Sequence, residues 1–342
     1  MFGKLMNSYY YGKSGKGDYT KDDLPTTRWQ LFWEMLRVRF AGLMRLNLTY
    51  MIVWLPCIVV LAMGTISLLY GVFPADEALE GDPAAVVEEG VMPSAEAVEP
   101  EKINMPSPED TANTIQSVVW MTLLLLIPCI AITGPFTAGL SYVTRNWARD
   151  EHAFAWSDYI DAVKANWKPS LVVSLITSVM PLVVYLSWQY YGQAANQNAI
   201  MVVPQTIVVM LGVLWSIVVT YTYPMIVTYQ MRLRVVLRNS LLLAIGRLPM
   251  SVGIRLLHCV PLIIAFLVAY WWNPMWAVLG LAGYYILMGY GLSRFVTASY
   301  TNGVFDKYIN SRIEGAQINR GLNTDVDEDD EDEDAEESET EE

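Results

Sequence analysis

Carboxylates are missing from the places where ion-coupled chemistry would need them. The chain has 35 Asp and Glu among 342 residues, yet none lies in its six long apolar runs. Intramembrane carboxylates are the usual proton relays and cation ligands, so their absence counts against a proton-coupled pump. Histidine and cysteine are also scarce, at two and three residues. His152 stands beside a loop carboxylate and His258 inside an apolar run. Cys57, Cys129 and Cys259 each sit among apolar residues, with no metal-ligand or redox spacing. Free thiols are expected, and no zinc site.

Catalytic signatures are lacking as well: there is no GxSxG elbow, no HExxH helix and no close carboxylate pair in an apolar setting. The segment GKSGKGD fails as a P-loop, because Asn7 and Tyr10 stand where the leading glycine must be. It reads as a basic arm. No enzyme activity, cofactor, metal or nucleic-acid partner is therefore expected.

What remains is apolar. Hydrophobic residues make up 54% of the chain and charged residues only 17%, with a mean hydropathy of +0.30. Such a composition calls for lipid as solvent. A span needs about 20 mostly apolar residues, and six segments qualify: Leu46 to Val72, Thr114 to Leu140, Ser170 to Tyr191, Met201 to Tyr229, Val252 to Trp272 and Pro274 to Ser293. An uninterrupted fifth segment from Leu241 would be too long for one straight span, so Gly246 to Pro249 is expected to form a surface break.

Basic residues orient these spans. Of the 22 lysines and arginines, 21 fall in the amino-terminal arm, the second and fourth connections and the carboxyl end, leaving only Lys102 opposite. The positive-inside rule then places both termini in the cytoplasm of a plasma-membrane protein, with the first span retained as a signal anchor. Trp188, Tyr190 and Tyr191, and Trp271 and Trp272, close spans three and five as interfacial anchors.

Ahead of span one, Trp29, Phe32, Trp33, Leu36 and Phe40 recur at helical spacing, with Arg28, Arg37 and Arg39 on the flanks. This pattern predicts an amphipathic helix lying on the bilayer, or docked on another subunit. The fold class is thus all-α: a polytopic membrane bundle of six transmembrane helices preceded by an interfacial helix.

The organisation reads as a flexible cytoplasmic arm over 1–26 and a membrane domain over 27–300. Within the latter, the proline- and acid-rich stretch 73–113 is a disordered extracytoplasmic loop. A cytoplasmic segment follows over 301–320, then a disordered acidic tail over 321–342. An alternative reading makes the tail a docking site for a basic protein or divalent cations.

Gln116, Gln189, Gln205, Ser174, Ser178 and Thr220 are the polar side chains within the spans that could line a path. Gln189 and Gln205 are the leading pathway candidates, although such residues more often tie helices together. Prolines 56, 128, 181, 224 and 261 predict kinks in the first five spans, and Gly280, Gly283, Gly289 and Gly291 allow close helix approach in the sixth. Two stretches, Tyr142 to Lys168 and Tyr229 to Arg247, follow spans two and four as similar amphipathic segments. Their cations, Arg145, Arg149, Lys164, Arg232, Arg234 and Arg238, are the candidate partner-binding residues.

Four segments, Arg45 to Pro56 (RLNLTYMIVWLP), Thr133 to Glu151, Asp158 to Ile176 and Tyr223 to Pro249, together resemble the YesL family of bacterial membrane proteins. The resemblance implies an integral membrane protein encoded beside carbohydrate-uptake systems, with an accessory role in sugar transport and no catalytic residues to carry over. The expected function is a non-enzymatic accessory subunit whose partners are the bilayer and transporter subunits. The alternatives are a substrate-conducting transporter or channel, and a scaffold or sensor acting through the acidic segments.

Overall fold

The structure, a computed structural model, describes residues 25–72 and 107–323. These residues form eight α-helices and no strand: α1 Arg28–Val72, α2 Pro108–Ala148, α3 Ser157–Ala195, α4 Val202–Thr228, α5 Leu233–Gly246, α6 Leu248–Trp271, α7 Pro274–Tyr284 and α8 Tyr290–Tyr308. A π-helical turn, Tyr285–Gly289, joins α7 to α8. Six stretches are long and apolar enough to cross a bilayer, and each contains one of the six segments read from the sequence apart from a residue at some ends. The chain is an all-α, multi-pass membrane protein.

The interfacial helix expected ahead of span one is not a separate element. α1 runs unbroken for 45 residues, or ~67 Å at 1.5 Å per residue, over twice the hydrocarbon thickness of about 30 Å. Its continuity has a cause in packing: Leu31, Met35, Leu43, Leu46 and Tyr50 form one buried stripe along the helix. The aromatic face singled out by spacing is different, and Trp29, Trp33 and Phe40 remain exposed.

The expected outer loop is also shorter at its carboxyl end, because residues from Pro108 onward are helical. The Ser107 hydroxyl accepts from the Asp110 backbone N–H at 3.1 Å and donates to the Asp110 carboxylate at 2.7 Å. Pro108 fits the first helical position, and Glu109 and Asp110 complement the positive end of the helix dipole. The rest of the loop expectation, the arm up to residue 24 and the tail from 324 lie outside the described residues.

Tyr142 to Lys168 and Tyr229 to Arg247 differ in structure. The first comprises the end of α2, a turn and the start of α3, whereas the second forms the separate short helix α5. Gly246 and Pro249 do punctuate the chain: α5 stops at Gly246, Arg247 has φ −120° and ψ 32°, and α6 begins at Leu248.

The chain divides into two compact units. Among the described residues the first comprises 25–51, 135–170 and 216–323, and the second 52–72, 107–134 and 171–215. In the first, α2 and α3 approach closely at Gly139, where an added Cβ would lie 2.8 Å from the Tyr159 carbonyl oxygen. α1 meets α8 at Gly291, 3.0 Å from the Leu43 carbonyl oxygen by the same construction. Gly280 and Gly283 have no neighbour within 4 Å of such a Cβ, so only Gly291 of the four span-six glycines lets another helix come close.

Polar bonds tie helices of the second unit. The Ser174 hydroxyl donates to the Ala131 carbonyl at 2.5 Å, and the Trp215 indole N–H donates to the Thr177 hydroxyl at 3.1 Å.

Candidate functional site

The first unit carries a half-open groove of about 1170 Å³ between the start of α1, α6 and the chain from Tyr284 to Tyr308. Its apolar body includes Phe32, Leu36, Ile254, Leu257, Val260 and Val296. Trp29 and Trp33, from the aromatic stripe recognised in the sequence, line it as well.

Polar groups gather along one wall. The Arg247 guanidinium donates to the Tyr308 hydroxyl at 3.2 Å and lies 5.7 Å from the Tyr308 ring centroid, while Lys307 Nζ lies 6.0 Å from the same ring. The contact with Tyr308 pushes the Arg247 pKa up from its usual value, so this charge is permanent. Neither cation has an ion-pair partner among the described residues, and the Arg247 Nε has no hydrogen-bond partner there. His258 is occupied: its Nε2–H donates to the Ser293 carbonyl at 3.1 Å.

The far part of the groove is shaped by the π turn, and Tyr285 and Gly289 line it. A π turn inserts a residue and shifts carbonyls out of the i to i−4 pattern. Asn47 on α1, fully buried, compensates: its Nδ2 donates to the carbonyls of Tyr285 at 2.9 Å and Ile286 at 2.8 Å, and its Oδ1 accepts from the Gly291 N–H at 2.9 Å. Sequence reasoning missed Asn47, although an asparagine one residue inside an apolar run was the available signal.

Beside the groove, the segment after α8 is held by a polar clasp. Arg28 donates to Asp306 at 2.8 Å and to Asn319 at 2.7 Å, and Asn310 donates to the second Asp306 oxygen at 2.6 Å. Tyr229 donates to Asn310 at 2.7 Å. The Asn323 N–H donates to the Pro25 carbonyl at 3.1 Å, so the arm and tail assigned to 1–26 and 321–342 meet at their described ends. Gly321, at φ +85°, passes against the Arg149 carbonyl, where an added Cβ would lie 3.1 Å away. That combination admits only glycine comfortably.

The sequence-derived cations divide by environment. Arg149 is buried, donates to the Gln317 carbonyl at 3.2 Å and pairs with Glu151 at 3.3 Å, a carboxylate that Arg320 shares at 3.3 Å. Arg145 is half-buried and bonded to the Asn146 side chain at 3.1 Å. Of the two, Arg149 holds the returning carboxyl-terminal segment. In the adjoining turn, burial pushes the Asp150 carboxyl up, with Arg39 opposing the shift. Lys164 is exposed and pairs with Asp161 at 3.8 Å.

Arg232, Arg234 and Arg238 are different. All three are exposed at α5 and none has an ion-pair partner among the described residues, while Val236, Ser240 and Ala244 bury the opposite face. Gln189 and Gln205 lie in the second unit and do not line the groove. Gln189 donates to the Tyr185 hydroxyl at 3.2 Å and Gln205 to the Trp188 carbonyl at 3.3 Å, the latter tying α4 to α3. Among the described residues no group of three His, Cys, Asp or Glu side chains could hold a metal ion.

Residues 114–188 match the family described as "Protein of unknown function, DUF624". A relative, the uncharacterized protein YesV of Bacillus subtilis (strain 168), is 25% identical over 142 residues, covering 41% of this chain and 67% of that protein. These matches bear out the resemblance drawn from the sequence. No solved structure matches. The matched stretch 114–188 contains the Gly139–Tyr159 approach and the Arg149–Glu151 pair, so it contributes one helix junction and part of the clasp.

Proposed function

We propose that this chain is a non-enzymatic accessory subunit of a membrane transport complex, with both termini cytoplasmic in the plasma membrane. Carbohydrate uptake is the process implied by the resemblance to the YesL family. The observation that carries the reading is the exposed arginine set at the start of α5, Arg232 just before the helix and Arg234 and Arg238 within it, with Val236, Ser240 and Ala244 forming the buried face of the helix. A helix buried on one side whose exposed side carries Arg234 and Arg238 near its start, among exposed Val235, Leu241, Leu242 and Ile245, presents an amphipathic surface with its positive charge at one end. Such a surface steers and holds an acidic partner, chiefly by accelerating correct encounter and opposing wrong ones.

The other candidates fit this role less well. Arg145 and Arg149 have partners within the chain, Arg145 at Asn146 and Arg149 at Glu151 and the Gln317 carbonyl of the carboxyl-terminal segment. Gln189 and Gln205 have partners in their own unit, which supports helix tying over a conducting path.

The test is purification of the full chain from its native membrane in mild detergent, with transport subunits quantified in the eluate. Substituting Arg232, Arg234 and Arg238 together by Gln is expected to lower their recovery roughly tenfold, a modest contribution from each charge. A solitary wild-type monomer, or equal recovery with the triple variant, contradicts the proposal.

A further inference from the structure

We propose that the groove of the first unit is a binding site for one anionic phospholipid, whose phosphate lies at Arg247 and Lys307 and whose acyl chains lie along α6 toward Pro261. This inference is independent of the partner reading, which rests on α5.

Size and direction come first. From Arg247 to Pro261 the wall of α6 rises ~21 Å at 1.5 Å per residue, enough to pass from the headgroup zone through one leaflet of a hydrocarbon core about 30 Å thick. At about 1170 Å³ the groove exceeds the roughly 300–1,000 Å³ usual for small-molecule sites.

Chemistry is graded along that length. Arg247, Lys307 and Tyr308 meet at one end, beyond the start of α6, while the body offers Leu257, Val260 and other apolar side chains. Among the described residues no Asp or Glu lines the groove. Of its three lining cations, Arg28 is neutralised by Asp306 at 2.8 Å, which leaves Arg247 and Lys307 to set the sign. Two uncompensated cations beside an apolar channel complement an amphiphile with an anionic head. Near a membrane surface each such charge favours an anionic lipid by an amount comparable to several-fold in affinity.

The principal rival occupant is the chain's own acidic tail. From Thr324 to Glu342 its apolar residues are only Val326 and Ala335, too few to fill an apolar channel. A phospholipid satisfies both ends of the groove at once.

Native mass spectrometry of the full chain, titrated with dioleoyl phosphatidylglycerol, dioleoyl phosphatidylcholine or inorganic phosphate, tests the assignment. The wild type is expected to take up one phosphatidylglycerol with roughly 10- to 30-fold preference over phosphatidylcholine. Arg247→Gln with Lys307→Gln should remove that preference, whereas Arg247→Lys with Lys307→Arg should keep it. Val260→Trp, which obstructs the body, should weaken uptake of both lipids, and Arg232→Gln with Arg234→Gln should leave the first adduct unchanged.

If the double glutamine variant does not fold, retention of preference in the charge-preserving variant together with loss of uptake in Val260→Trp supports the site. Either result reversed overturns it. Equal uptake of the two lipids, or a preference that survives removal of both charges, also overturns it. Phosphate binding with lipid uptake indifferent to Val260→Trp would make the occupant a free anion. A preference seen only after deletion of Asp325 to Glu342 would make the tail the occupant, and a dimer that excludes lipid would make it a second copy.

Discussion

Replacing Asn47 by Leu is expected to destabilise the protein by about 2–5 kcal/mol, since it removes three buried hydrogen bonds worth roughly 0.6–1.7 kcal/mol each. Asn47 alone offers two donors to the carbonyls of Tyr285 and Ile286 and one acceptor to the Gly291 N–H, at 2.8–2.9 Å. Leucine matches its bulk but none of this pairing, and lipid supplies no water to take over. The π turn should then relax toward a regular helix, shifting Tyr285 and Gly289 within the groove wall. The midpoint of heat-induced aggregation in detergent, followed by size-exclusion chromatography, measures the loss. Thr206→Val serves as the comparison, because that exposed hydroxyl bonds only to its own helix at Val202. An Asn47→Leu midpoint equal to wild type would contradict the account of the π turn.

Gly139 and Gly280 should respond to alanine with opposite signs. At Gly139 an added Cβ would lie 2.7 Å from Val163 Cγ2, 2.8 Å from the Tyr159 carbonyl oxygen and 2.9 Å from Tyr159 Cδ2. Since a backbone oxygen cannot swing aside, α2 and α3 must separate, at a cost of about 1–3 kcal/mol. At Gly280 nothing lies within 4 Å of the added carbon, and relief of glycine's backbone entropy favours alanine by roughly 0.5–1 kcal/mol. The same thermal assay should place Gly139→Ala below wild type and Gly280→Ala above it. A harmless Gly139→Ala would mean that the α2–α3 approach is looser than described.

The two glycines also show what a sequence carries and what it withholds. The spans were legible because twenty apolar residues in a row admit few readings, and the break at Gly246–Pro249 because glycine and proline act locally. Which glycine another helix approaches is a tertiary matter, so the span-six glycines looked equivalent although only Gly291 has a neighbouring helix against it. The aromatic stripe Trp29, Phe32, Trp33 and Leu36 was legible as a helical face, yet its destination was not. Leu31, Met35 and Leu43 take the buried side, leaving the aromatics along the groove. At Ser107 a capping signal was present, Ser-Pro-Glu-Asp, but the surrounding prolines and carboxylates masked it.

The candidate site was legible only in part. Counting basic residues cannot separate Arg149, enclosed with Glu151, from Arg232, exposed without an ion partner among the described residues. That distinction depends on where the carboxyl-terminal segment returns. Residues Gln317 to Asn323 come back against Arg149 and Pro25, a contact spanning well over a hundred positions that no local pattern encodes.

The proposal that the chain acts through partners, with α5 as the contact, is tested most directly by sugar uptake in intact cells. Deletion of the gene should lower the initial uptake rate of the sugar whose transporter co-purifies. The wild-type chain should restore it, and the chain carrying Arg232→Gln, Arg234→Gln and Arg238→Gln, present in the membrane at the same level, should not. Uptake that is unchanged by the deletion, or restored equally by both chains, would contradict the account.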